Sequence, residues 1–141
     1  MDNYKKIGDT DIKPVHRASC HCGAVELELT LPKGVENPRR CDCSICRRKG
    51  AIVASISLRN LTIVKGADKL SLYQFDTRQA KHYFCSVCGI YTHHQRRSHP
   101  DQYGINLACL EGVDPCLIGE IPVLDGVNHP SDRHPNSASK A

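Results

Sequence analysis

Seven of the nine cysteines fall into three tight clusters, and these thiols are the side chains whose type and spacing most clearly imply chemistry. Cys20-His21-Cys22-Gly23 is a C-x-C-G motif, Cys41-Asp42-Cys43-Ser44-Ile45-Cys46 is C-x-C-x-x-C, and Cys85-Ser86-Val87-Cys88-Gly89 is C-x-x-C-G. Thiolates this close repel one another unless a cation lies among them, and zinc accepts four at about 2.3 Å in a tetrahedron. A metal knuckle turns backbone amides toward sulfur, and a glycine supplies the left-handed bend at low cost. Gly23 and Gly89 therefore mark Cys20, Cys22, Cys85 and Cys88 as two halves of one closed structural site. Cys41, Cys43 and Cys46 are left as three ligands with a fourth position free, the general pattern of a catalytic zinc. The competing partition joins Cys20 and Cys22 to members of the triple and leaves Cys85 and Cys88 as a redox pair, which strands one thiol. The expected cofactor is zinc, two ions per chain.

A disulfide framework is the other use for many cysteines. The opening Met1-Asp2-Asn3-Tyr4-Lys5-Lys6 runs into polar residues without an apolar leader, so the expectation is a cytoplasmic chain with reduced thiols. No apolar run approaches the ~20 residues of a membrane span, and no membrane partner is expected. The formal charge of +4 counts thiols as neutral. Seven thiolates on two divalent ions bring it to +1, which weakens any argument for a nucleic-acid partner. Arg39-Arg40 and Arg47-Arg48-Lys49 lack interleaved aromatics, which argues the same way.

These clusters need elements to hold them apart and aim them. At 141 residues, with five Tyr, two Phe and no Trp, the chain has a modest core that a metal would help to stabilise. Residues 1–18 are polar and aperiodic and read as a loose arm, residues 19–120 as the zinc-binding domain, and residues 121–141 as a polar tail. From Gly23, Val25, Leu27 and Leu29 alternate with Glu26, Glu28 and Thr30, a half-buried strand. Residues 51–58, 61–64, 70–75, 81–84, 90–95 and 103–108 read as further strands, and residues 43–49 as one or two helical turns. Strands at such spacing predict a mainly β fold of small twisted antiparallel sheets.

Cys20-x-Cys22-Gly23, Cys41-x-Cys43-x-x-Cys46 and Phe84-Cys85-x-x-Cys88-Gly89 together resemble the glutathione-dependent formaldehyde-activating enzyme family. The similarity runs over about residues 18–111 and includes Arg97-Ser98-His99-Pro100, Asn106 and Cys109-Leu110; centromere protein V carries a similar domain. The resemblance implies an Mss4-like fold and a carbon–sulfur lyase activity joining formaldehyde to glutathione. It also implies that Cys20, Cys22, Cys85 and Cys88 hold a structural zinc and that Cys41, Cys43 and Cys46 hold a catalytic one. A non-catalytic zinc module that binds protein is the competing function.

Arg47, Arg48 and Lys49 follow the triple and are candidates to clamp the carboxylates of a thiol substrate such as glutathione; Arg96-Arg97 invites the same reading. His21, His93, His94 and His99 are candidate proton carriers. Tyr91 and Tyr103 read as core or rim residues. Asp42 reads as an orienting group or a backbone cap. Cys109 reads as a buried small hydrophobe and Cys116 as an exposed thiol.

Overall fold

A computed structural model of the chain describes residues 3–128. The strands are β1 (Asn3–Tyr4), β2 (Lys6–Ile7), β3 (Thr10–Asp11), β4 (Val15–Ser19) and β5 (Glu26–Thr30). They continue with β6 (Val35–Cys41), β7 (Val53–Ser57), β8 (Leu61–Lys65) and β9 (Leu70–Tyr73). The last are β10 (Lys81–Cys85), β11 (Tyr91–Gln95), β12 (Gln102–Asn106) and β13 (Val123–Leu124), and the single α-helix among the described residues, α1 (Ser44–Lys49), lies between β6 and β7.

The principal sheet runs in the order β1-β6-β7-β12-β11-β10-β9, antiparallel throughout, with β13 added parallel to β6. A second antiparallel sheet, β4-β5-β8, and the β2-β3 hairpin complete the fold. The alternation read from residues 25–30 is borne out: Leu27 and Leu29 are buried, while Glu26 and Glu28 turn outward toward Arg17. Ile7, Ile12, Leu27, Leu29, Ile105 and Leu107 belong to one core.

Alternation across the principal sheet decides which side chains meet. Ser55, Gly104, His94, His82 and Tyr73 form one row of directly opposed residues, so their side chains share a face. Ala54, Ile105, His93, Tyr83 and Leu72 form the adjacent row on the opposite face. The neighbours His93 and His94 are thereby separated. His93 is buried against the Tyr83 and Tyr103 rings, whereas His94 stacks on His82 with ring centres 5.3 Å apart. Gly104 makes this possible, because a Cβ there would lie 2.4 Å from Cε1 of His94.

Two readings from sequence need correction. Within the expected loose arm of residues 1–18, the described residues 3–18 are ordered into the fold: β1 pairs with β6, and Ile7, Ile12, His16 and Ala18 are buried. The stretch lacks long periodicity because its strands are only two to five residues long. The beginning of the tail is likewise a strand, with Arg40 N donating to Pro122 O at 3.0 Å and Asp42 N to Leu124 O at 3.2 Å; residues 129–141 lie outside the described residues. Strand β6 itself escaped the sequence reading. Its register slips between Glu36 and Arg39, with Asn37 at φ 52°, and this irregularity accommodates Pro38, which cannot donate to a regular ladder.

Candidate functional site

The loops flanking these strands gather the clustered cysteines into two groups, Cys20/Cys22/Cys85/Cys88 and Cys41/Cys43/Cys46, with the Sγ atoms of each within 4.8 Å of one another. All nine cysteines are free thiols. The four-cysteine group is built from two matching knuckles. Cys20 N donates to Val25 O at 3.1 Å and Cys85 N to Ile90 O at 3.0 Å, the same five-residue closure. Gly23 and Gly89 share φ 80°, and amides approach sulfur from Val25 to Cys20 at 3.3 Å and from Val87 to Cys85 at 3.4 Å. The Sγ separations of 3.7 Å (Cys20–Cys22) and 3.8 Å (Cys22–Cys85) match the roughly 3.8 Å edge of a tetrahedron with ~2.3 Å metal–sulfur bonds. They are far beyond the ~2.05 Å of a disulfide. The group fits a tetrahedral thiolate-bound metal such as zinc.

The triple opens onto a cleft of about 140 Å³. Cys41 ends β6, and Cys43 caps α1, its sulfur accepting from Cys46 N at 3.4 Å. Hydrogen bonds from Cys41 and Cys46 hold the Cys43 thiol down at about 2, while contacts with Cys41 and Cys43 push the Cys46 thiol up and the contact with Cys43 pushes Cys41 up. Full ionisation of all three calls for a positive ion, so this donor set also suits zinc. The described tail seals one side of the group. Gly126 N donates to Asp42 Oδ1 at 2.7 Å, and a Cβ on Gly126 would lie 2.5 Å from Cys41 Sγ.

The cleft floor comes from the sheet. His82, His94, Arg39 and Arg96 line it together with the three cysteines. Arg39 and Cys41, and likewise His94 and Arg96, are two residues apart in the chain. Tyr91 reaches the same side because Thr92 is an extra residue opposite the Tyr83–Phe84 step, and such a bulge re-aims the next side chain. Tyr91 Oη is 2.5 Å from His94 Nδ1. Lys49 Nζ sits 3.6 Å from the Tyr91 ring centre and 2.8 Å from His82 Nδ1.

Burial, and then the Lys49 charge, lowers His82 to about 4 and holds His94 well below its ordinary value. Burial brings Lys49 down to about 8, opposed by the nearby Cys46, Cys43 and Cys41.

Several sequence candidates lie elsewhere. Arg47 and Arg48 do not reach the cleft: both are exposed, and Arg48 Nη1 turns back to Ser44 O at 2.8 Å. Helical geometry explains this, since Lys49 at i+3 from Cys46 shares its face while Arg47 and Arg48 point away. His21 and His99 are exposed. Asp42 fastens the tail, Cys109 is buried with its thiol pushed up to about 12, and Cys116 is exposed in a short 3-10 turn. Arg39 and His82 were not singled out for this site from sequence. The usable signal at Arg39 was its period-two spacing from Cys41, hidden by the unrecognised strand β6, whereas His82 enters the cleft through its cross-strand pairing with His94, which no local spacing reveals.

The model of the glutathione-dependent formaldehyde-activating enzyme family matches residues 15–117. The chain belongs to that family. A protein of Halomonas elongata that carries the provisional name of a glutathione-dependent formaldehyde-activating enzyme is 37% identical over 78 residues, 50% of this chain and 49% of that protein. The chain thus spans about half the length of this curated relative. A crystal structure of a Rhodobacter sphaeroides protein is similar at a TM-score of 0.74 and 59% identity, covering 77% of this chain and 99% of that one. The fold and both cysteine groups accord with family membership. No helix among the described residues is long and apolar enough to cross a membrane.

Proposed function

We propose that the protein is a zinc-dependent carbon–sulfur lyase that forms S-hydroxymethylglutathione from glutathione and formaldehyde. The observation that carries this reading is the asymmetry of the two cysteine groups: four thiols close one, while three line a cleft floored by histidines. Cys20, Cys22, Cys85 and Cys88 would hold a structural zinc, and Cys41, Cys43 and Cys46 a second. When bound at the triple, zinc supplies an acidic position at which a thiol loses its proton near neutral pH.

The overall reaction adds a thiol across the carbonyl of formaldehyde to give the S-hydroxymethyl product. One carbon–sulfur bond forms, the carbonyl π bond opens, and one proton moves from sulfur to oxygen. His82 and His94 are the groups available to carry that proton, since both are neutral at pH 7. The Lys49 ammonium has only donors to offer, so Nδ1 of His82 accepts from it and the neutral ring keeps its hydrogen on Nε2. Lys49 therefore fixes one tautomer of His82.

Exchange spectroscopy of formaldehyde with glutathione, with and without the zinc-loaded protein, tests the assignment. Exchange faster than the spontaneous reaction is expected. An unchanged rate together with retained zinc would favour a non-catalytic zinc module.

A further inference from the structure

The cleft contains a positive charge that the fold does not balance. Arg39 is only 5% exposed, yet no carboxylate among the described residues lies within ion-pair distance of it. Its Nη1 donates to Asn37 O at 3.0 Å and Ser55 Oγ at 2.8 Å, which leaves Nε and Nη2 without a hydrogen bond among the described residues. Arg96 converges on the same hydroxyl, at 3.4 Å, and is held in place by Gln102 Oε1 at 2.7 Å. Two guanidinium groups sharing one serine oxygen repel each other, and a buried charge without a counter-ion is costly. Three thiolates with one divalent cation would contribute a single net negative charge against this pair. Asp76 and Asp125 also line the cleft, but neither lies within ion-pair distance of Arg39 or Arg96, and the Asp125 carboxylate is engaged by Asn128; Asp101 attracts Arg96 from outside the cleft lining.

Building on the thiol-addition reading above, we propose that Arg39 and Arg96 form a subsite for a carboxylate of the thiol substrate, in place of the Arg47–Arg48–Lys49 segment. The planar guanidinium fork matches a carboxylate in a way that a point charge does not. Arg39 lies two residues from Cys41 on β6, a separation of about 7 Å along a strand. One peptide residue, about 3.8 Å between Cα atoms plus its side chain, covers much of that distance. A thiol whose neighbouring residue ends in a carboxylate can therefore address the triple and the arginine pair together. Glutathione has that form, and small thiols without a carboxylate do not.

Calorimetric titration of the zinc-loaded protein separates this subsite from the thiol chemistry. The ligands are glutathione, its diethyl ester, and S-methylglutathione, which keeps both carboxylates but has no free thiol. Wild type should bind S-methylglutathione, and should favour glutathione over the diester by roughly tenfold to a hundredfold, the range expected for a charge-assisted hydrogen-bonded pair. Arg96→Gln should collapse that ratio toward one and weaken S-methylglutathione by the same factor. Arg39→Lys, which keeps the charge but loses the fork, should reduce the ratio as well. A folded Arg96→Gln protein with full zinc content and the wild-type ratio would overturn the subsite. If exchange of formaldehyde is not accelerated, S-methylglutathione binding and its loss in Arg96→Gln still decide the subsite independently of the lyase reading.

Discussion

Replacing Gly104 with alanine would place a methyl carbon 2.4 Å from Cε1 and 3.0 Å from Nδ1 of His94, where ordinary contact needs about 3.4–4 Å. The imidazole must therefore move by roughly an ångström. It has little room, because Tyr91 Oη holds Nδ1 and the His82 ring stacks on it. Overpacking of this kind costs about 1–3 kcal/mol, and loss of the Tyr91 contact adds about 1 kcal/mol. For a domain of this size the sum corresponds to a drop in Tm of roughly 5–15 °C. The assay is thermal unfolding at fixed zinc concentration for wild type, Gly104→Ala, His94→Ala and the double variant. If the clash is with His94, the alanine penalty should largely vanish in the His94→Ala background, a coupling of about 2 kcal/mol or more. An equal penalty in both backgrounds would refute the placement of His94 over β12, and with it the histidine floor of the cleft.

Acid should destabilise the protein well before its carboxylates titrate. Burial, and then the Lys49 charge, lowers His93 to about 4, whereas an unfolded histidine titrates near 6.5. The unfolded state therefore binds the extra proton first, and stability present above pH ~6.5 is lost as the pH falls toward ~4, by roughly 3 kcal/mol for this residue. Urea midpoints should decline across that window, and His93→Gln should flatten the slope; an unchanged slope would contradict the assignment. Gly126→Ala should drive the tail strand away from Cys41 and Cys43, because its Cβ would lie 2.5 Å from Cys41 Sγ and from Cys43 Cβ. A chelator competition should then show faster metal loss from the triple alone, and equal loss from both groups would contradict the contact.

Much of the metal chemistry was legible because its determinants are local. Two glycines with positive φ after paired cysteines define a knuckle within six residues, and the structure repeats the same closure at Cys20 and Cys85. The alternation of Leu27 and Leu29 with Glu26 and Glu28 was equally local. The cleft was less legible because it is assembled by cross-strand register. Arg39 lies on a strand interrupted by Pro38, Lys49 points away from the two arginines beside it, and Tyr91 changes sides at a bulge. Residues 35–41 combine proline and three charges in seven positions, which hides a strand from pattern reading. Strand β13 was missed because two residues are too short to show a period.

The central claim is that the two cysteine groups differ in kind, and metal content of single-site variants tests it most directly. Zinc per chain, measured by mass spectrometry alongside circular dichroism, should be close to two in wild type. Cys43→Ser should retain one zinc and a folded β protein. Cys85→Ser should lose the fold, because structural zinc contributes on the order of 10 kcal/mol, comparable with the entire stability of a small domain. Wild-type content of one zinc, or indistinguishable behaviour of the two variants, would contradict the division into a closed site and an open one.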